Sequence, residues 1–148
     1  MNAPEDIYST KILEVVASMP QTAAFEEADG SATKSSKLCG SKIHVDLNVT
    51  DGKISKYGQT VEACLLGQAA ASVMAQNAIG LTKGDIEAIR DEMLAMLKED
   101  GPAPKGMWSD LEVLYPVKDY KPRHTSMMLV FEATLAALDE VLKKNTKS

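Results

Sequence analysis

The chain has 148 residues, of which 45% are hydrophobic and 25% charged, and its net charge is −5 with a pI near 5.0. These values are ordinary for a globular protein, and a chain of this length is predicted to fold as one domain, residues 1–148, with a core of its own. The acidic balance argues against nucleic acid as a partner, and no apolar run approaches the roughly 20 residues that a membrane-spanning helix needs.

The first predicted element is a helix over about Glu5–Ser18, opened by Pro4 and ended by Pro20. The first eleven residues of the chain, MNAPEDIYSTK, are acidic where a signal peptide would be basic and then apolar. The expected location of the protein is therefore the cytoplasm. We expect one apolar face of this helix to pack against the rest of the domain. That face carries Tyr8, Ile12, Val15, Val16 and Met19.

A small sheet is predicted next. An edge strand is expected around Ser31–Ser36, although no strong alternation marks it. The second strand, about Ile43–Val49, alternates apolar and polar residues, which is typical of a strand with one buried face. Thr50–Lys53 has the sequence TDGK, a hairpin signal, so a third strand over about Ile54–Val61 should return antiparallel. His44 falls on the polar face and is expected to be solvated rather than a ligand.

Helices are predicted for most of the remaining chain. The alanine-rich stretch ACLLGQAAASVMAQNAIG has helical spacing and should stop near Gly80. Thr82 is placed to cap the next helix. After an irregular region around Trp108–Pro116, the last helix, about Ser126–Leu142, is apolar nearly all round in its first half and should be buried there. The apolar stripe of the Thr82-capped helix is Ile86, Ile89, Met93 and Leu97.

The order of one helix, meandering strands and then helices predicts an α+β fold, in which helices pack on one face of a small antiparallel three-stranded sheet. This topology bears on the two cysteines of the chain. Cys39 lies in the turn before the second strand, and Cys64 lies at the first turn of the alanine-rich helix. Because the hairpin brings strand ends together, we expect both thiols at one end of the sheet.

The two cysteines, 25 positions apart, are better candidates for thiol or metal chemistry than for a disulfide. Two inert buried thiols remain an equally good interpretation of the composition alone. Cys64 is the better candidate for reactivity, because the positive end of a helix dipole stabilises a thiolate. Zinc, and iron in sulfide clusters, take four ligands that are largely thiolates, so two cysteines are too few for one chain.

Five segments in order carry a likeness to a known family. They are the opening DIYSTKILEVV, LCGS at Leu38–Ser41, the alternating strand with its hairpin, ACLLGQAAASVMAQNAIG, and the closing PRHTSMMLVFEATLAAL. Together they resemble the IscU, SufU and NifU N-terminal family of iron–sulfur cluster assembly scaffolds. The resemblance covers about Asp6–Leu142 and depends on the order and spacing of the segments rather than on one motif.

The resemblance places Cys39 and Cys64 on the family's first and second ligand positions. Ser41 stands where the family has an aspartate, and Ser126 stands where it has a third cysteine. Thr125 falls on the histidine or lysine that precedes that cysteine. Since a serine hydroxyl does not replace a thiolate on iron or zinc, the ligand set departs from the family pattern.

Several alternatives follow for the site. One chain could bind iron or zinc through Cys39, Cys64 and His124, which lies two residues before Ser126. Two chains could pool four thiolates around one 2Fe–2S cluster, which predicts a cluster-linked homodimer. A third alternative is that cluster assembly has been lost and that the chain acts only as an interaction or regulatory protein.

The resemblance implies a binding protein and not an enzyme: a scaffold or carrier that holds iron, a cluster or persulfide sulfur through Cys39 and Cys64. It also implies a cysteine desulfurase and iron–sulfur acceptor proteins as partners. A zinc-bearing sulfur acceptor is the remaining alternative. No phosphate-binding glycine loop, Ser-His-Asp spacing or pair of catalytic carboxylates stands out in the sequence.

Overall fold

The computed structural model describes residues 10–20, 23–37 and 40–146, with side chains described up to Lys143. The predicted α+β fold is confirmed, since three strands form one antiparallel sheet in the order β1-β2-β3 and helices pack against it. In chain order the elements within these ranges are α1 (Thr10–Ala17), β1 (Gly30–Ser36), β2 (Ser41–Thr50), β3 (Lys53–Glu62), α2 (Leu65–Asn77), α3 (Lys83–Lys98), a 3₁₀ segment (Gly106–Val117), a 3₁₀ turn (Lys121–Arg123) and α4 (His124–Thr146).

The sheet forms as its sequence pattern predicts. The weakly patterned edge strand exists as β1 and pairs antiparallel with β2 over its whole length. The hairpin between β2 and β3 turns at Asp51 and Gly52, whose φ angles are 54° and 78°. Two successive positive φ values define the turn that matches the twist of paired strands, which is why an Asp-Gly pair stands there. The apolar positions of β2 that enter the core are Ile43, Val45 and Leu47.

The helices cover one face of the sheet. The last helix, α4, packs along β1 and β2, while α2 packs against α4, α1 and the 3₁₀ segment. The predicted cap of α3 is confirmed: the Thr82 hydroxyl accepts the Asp85 N–H, and the Asp85 carboxylate accepts the Thr82 N–H. The sole tryptophan, Trp108, is buried in the core. No helix in the described ranges has both the length and the apolar character needed to cross a membrane.

Two helices have an end that differs from the predicted one, and the predicted start of a third helix lies outside the described residues. The predicted residues 5–9 of the first helix, Tyr8 among them, lie outside the described residues. Helix α2 ends at Asn77, and Gly80, at φ 90°, instead forms a turn whose N–H donates to the Ile54 carbonyl at 2.8 Å. Helix α4 begins at His124, two residues earlier than expected, because the preceding 3₁₀ turn leads directly into it.

The polar side of the sheet is covered in part by a segment that precedes β1, which the sequence pattern did not predict. The segment of residues 23–29, which we call the strap, contacts the polar side of β2. Asp46 is therefore buried, with its carboxylate accepting from the Phe25 N–H at 3.1 Å and from the Ser31 hydroxyl at 2.5 Å. His44, which was expected to be solvated, is half-buried and lies 2.8 Å from the same carboxylate. Alternation in β2 predicted a polar face correctly but could not reveal that another segment covers it.

The close contact between β1 and α4 requires a glycine at the first residue of β1, Gly30. A larger residue there should lower the free energy of unfolding. A Cβ on Gly30 would lie 2.1 Å from the Ala137 carbonyl oxygen and 2.7 Å from a Val141 methyl group. We expect Gly30→Ala to lower the free energy of unfolding by about 2–3 kcal/mol, measured by urea denaturation, because the backbone must shift.

The matched control for that substitution is Gly84→Ala. A Cβ on Gly84 would meet only the Thr82 hydroxyl, at an ordinary 3.7 Å. Because Gly84 lies in α3, alanine should leave the free energy of unfolding unchanged or raise it by up to about 1 kcal/mol. Equal effects of the two substitutions would contradict the proposed close packing at Gly30.

Candidate functional site

The site is built around the thiol of Cys64, which lies at the amino-terminal cap of α2 with extended backbone angles of φ −67° and ψ 169°. Only Ala63 separates this residue from the end of β3, so the end of the sheet and the start of the helix fix its position. The thiol is free and half-buried. Its place at a helix amino terminus is the one that the sequence predicted.

One serine hydroxyl contacts this thiol, and a second serine hydroxyl contacts the first. The Ser126 Oγ, in the first turn of α4, is 3.3 Å from the Cys64 Sγ and 3.0 Å from the Ser41 Oγ, at the first residue of β2. Both serines are buried, with exposed fractions of 0% and 2%. The fold therefore brings Ser41, Cys64 and Ser126, which are far apart in sequence, into one cluster at one end of the sheet.

A glycine in α2 allows this close approach, and the sequence reasoning missed its role. A Cβ on Gly67 would lie 2.9 Å from the Ser126 Oγ and 2.9 Å from the Ala63 Cβ. Any larger residue would push the first turns of α2 and α4 apart. The run of small residues in ACLLGQAAASV was the available signal, since small residues in a helix allow close packing against a neighbouring element.

The environment of Cys64 favours its ionised form. Burial opposes ionisation, but the Ser126 hydroxyl, the backbone N–H groups of Gly67 and Leu66, and the positive charge of Arg123 together lower the pKa of the thiol from its ordinary value. This combination of a helix amino terminus and a nearby cation is characteristic of reactive and metal-binding cysteines. The arrangement can therefore present a thiolate sulfur to a metal ion or to an electrophile.

The other predicted thiol, Cys39, lies outside the described residues. The residues that flank its turn are described: Ser36 pairs with Ser41 at the end of the β1–β2 ladder, and Gly40 has a φ of 66°, in the left-handed region that favours glycine. In the sequence, Cys39 is separated from Ser41, a member of the cluster, by Gly40 alone. Its role as a ligand stays a prediction.

His124, the third residue predicted to bind metal, has a different set of neighbours. It is buried at the first residue of α4, and its Nε2 contacts the backbone carbonyl of Lys118. It also lines a cavity of about 210 Å³ between α3 and α4, together with Leu94, Lys98 and Met128. In the described part of the chain, no three His, Cys, Asp or Glu side chains form a group that could hold a metal ion. Thr125, beside it, is exposed.

A three-stranded antiparallel sheet with helices on one face and a thiol at the start of α2 defines the class of fold, and a solved structure identifies the family. A nitrogen-fixing NifU-like protein (N-terminal) from Brucella abortus is 43% identical to this chain, with a TM-score of 0.90, over 97% of this chain and 99% of that one. The chain therefore belongs to the NifU-like N-terminal family, as the sequence segments predicted.

More distant structures share the fold. A candidate iron–sulfur cluster assembly scaffold protein for the SUF system from Fervidobacterium islandicum is 21% identical, with a TM-score of 0.80, over 90% of this chain and 98% of that one. A hypothetical protein is 19% identical, with a TM-score of 0.74, over 86% and 96% of the two chains. No protein-family model matches the chain, and no curated protein matches it.

Proposed function

We propose that the chain is an iron–sulfur scaffold or carrier, a binding protein that holds its cargo through Cys64 and Cys39. The observation that carries the proposal is the Cys64 thiol, free, half-buried and with a lowered pKa, at the start of α2 in a NifU-like chain. A thiolate at such a place is a soft ligand for iron and a nucleophile for sulfur. The expected cytoplasmic location stays a prediction.

The number of thiols in the chain determines whether one chain or two can hold a cluster. A 2Fe–2S cluster is held by four protein ligands, usually thiolates, and this chain has two cysteines. The hydroxyls of Ser41 and Ser126 do not supply the missing ligands, because a neutral alcohol binds soft iron far more weakly than a thiolate does. Two chains together provide four thiolates, so the cluster-bridged homodimer accounts best for the ligand count.

The partners of such a carrier follow from its cargo. Sulfide sulfur has to be supplied in a transferable form, and we propose a cysteine desulfurase as its source. The assembled cluster has to pass to iron–sulfur acceptor proteins. The likeness to a NifU-like protein and to a candidate SUF-system scaffold supports these two partners.

Anaerobic reconstitution tests the proposal. The protein is incubated with ferric iron, sulfide and a thiol reductant, desalted, and analysed for visible absorbance, iron, sulfide and molar mass. We expect a brown protein with about one iron and one sulfide per chain, eluting as a dimer. A coloured monomer with two irons per chain would rule out the shared cluster.

The remaining outcomes separate the alternatives. A protein that stays colourless and binds no metal would support a chain that acts only as an interaction or regulatory protein. The feature that favours this outcome is that the side chain of residue 126, which contacts Cys64, ends in a hydroxyl and not in a thiol. Zinc in protein purified without added iron would support a zinc-bearing sulfur acceptor, and metal analysis of the same sample detects it.

A further inference from the structure

We propose that Ser126, supported by Ser41, is a positioning residue that holds the Cys64 sulfur by a hydrogen bond and does not act as a metal ligand. This inference rests on the proposed function of Cys64 and assigns a role to the serine that stands, by the family resemblance, at the position of a third cysteine. It concerns the protein without cargo as well as the loaded one. The three atoms form a line of contacts from the Ser41 Oγ to the Ser126 Oγ to the Cys64 Sγ, at 3.0 and 3.3 Å.

Burial gives these contacts their importance. Ser126 is fully buried, and Ser41 is 2% exposed, so the hydroxyls have little access to water. A buried hydroxyl left without a partner costs free energy, whereas one that donates to a sulfur anion gains it. The first turns of α2 and α4 fix the geometry, because Gly67 has no side chain to separate them from each other.

The direction of the hydrogen bonds follows from the state of the sulfur. A thiolate, or a thiolate bound to iron, has no proton and can only accept. The Ser126 hydroxyl must then donate to the sulfur, and its lone pairs remain free to accept the Ser41 hydroxyl proton. The Ser41 hydroxyl thus donates to the Ser126 hydroxyl, which donates to the sulfur. These hydrogen bonds stabilise the negative charge on the sulfur without any change in the positions of the heavy atoms.

The same geometry argues against Ser126 as a ligand. To bind a soft metal ion, the Ser126 hydroxyl would have to lose its proton. The neighbouring Cys64 sulfur loses its proton more easily and is the softer ligand. A hydrogen bond to a ligating sulfur is instead the arrangement by which neighbouring groups orient and tune metal ligands. The serine therefore gives the site a hydrogen-bond donor at the position where the family resemblance implies a third soft ligand.

The first test uses disulfide trapping in the metal-free protein. In a Cys39→Ser background, Ser126→Cys places a second sulfur beside Cys64. With oxidised glutathione, we expect an intrachain disulfide, because the present oxygen-to-sulfur contact is 3.3 Å and paired cysteines need closely spaced Cβ atoms. Ser72→Cys in the same background is the matched control and should remain reduced, since Ser72 is bonded to the Val15 carbonyl in the middle of α2. Equal trapping in both variants would overturn the proposed contact.

The second test measures alkylation of Cys64 in the same background at neutral pH. Loss of a hydrogen bond to an anion should lower the thiolate fraction about tenfold. The more basic thiolate regains about threefold through its higher nucleophilicity, so Ser126→Ala should react about threefold more slowly. Ser41→Ala should slow the reaction less, and Ser72→Ala, which removes an equally buried hydroxyl from α2, should not slow it.

The outcomes of the two tests separate this inference from the proposed function. Unchanged alkylation in Ser126→Ala would overturn the positioning role, even if the wild-type protein forms a coloured cluster. Slowed alkylation and specific trapping would support the role, even if reconstitution gives a colourless protein, because neither measurement uses iron. If Ser126→Ala fails to fold, a failure of Ser126→Cys to form the disulfide would still overturn the contact on which the positioning role depends.

Discussion

Cys64→Ser is expected to leave the protein colourless after anaerobic reconstitution, with bound iron reduced to the background of a mock incubation. The substitution is close to isosteric and keeps a polar group at the cap of α2, a position where serine is favoured. What it removes is the soft ligand, since an alcohol does not ionise near neutral pH. In the two-chain arrangement each variant dimer would keep only two of four thiolates, too few for a 2Fe–2S cluster.

The control for this substitution keeps the number of thiols and changes their place. The double variant Cys64→Ser, Ser72→Cys carries two cysteines like the wild type, but its second thiol lies fully buried in the middle of α2. We expect it to be as colourless as Cys64→Ser alone. Thermal unfolding followed by circular dichroism should show both variants folded. A cluster in either variant would mean that Cys64 is not the cargo ligand.

Much of the fold could be predicted because local rules and tertiary packing agree along most of the chain. The Asp-Gly hairpin, the alternation in β2 and the Thr82 cap each have a short-range physical cause, and each occurs where it was expected. The strap could not be predicted, because its contacts link residues about 20 positions apart through backbone N–H groups and polar side chains. Hydrophobic periodicity carries no information about such contacts.

The site could be predicted only in part. A helix amino terminus is visible in a sequence, so the position of Cys64 could be predicted from the local pattern. The helix terminus also predicts the right direction for the pKa shift, but the Ser126 hydroxyl and the charge of Arg123, which are distant in sequence, contribute to it as well. The contacts of Ser126 with Cys64, 62 positions away, and with Ser41, 85 positions away, depend on how the first turn of α4 packs against the starts of α2 and β2. Only the family resemblance indicated that Ser126 belongs to the site. Gly67, which permits the approach, is a packing requirement that no motif marked.

Asp46→Ala is expected to lower the free energy of unfolding at neutral pH by about 3 kcal/mol, because it removes a buried charge on which several groups depend. The side chain of Asp46 is 6% exposed. Without the carboxylate, the Phe25 N–H, the Ser31 hydroxyl and the His44 Nε2 lose this partner together, and the strap loses one of its attachments to β2. Asp110→Ala, at an exposed position, should change the free energy by less than about 0.5 kcal/mol.

The same carboxylate should give stability a specific dependence on pH. Burial alone would raise the pKa of Asp46, but hydrogen bonds from Ser31, His44 and the Phe25 N–H, with the charge of His44, lower it below its ordinary value. A carboxyl whose pKa is lower in the folded state contributes stability that is fully present above the unfolded-state pKa of about 3.9. That contribution is lost as the pH falls through the folded-state pKa. Urea unfolding of the wild type and Asp46→Asn between about pH 5 and pH 3 should therefore give a difference in free energy that shrinks below about pH 4. A difference that stays constant down to pH 3, or grows, would contradict the proposed role of the charge, since an uncharged or unpaired Asp46 has nothing to lose on protonation.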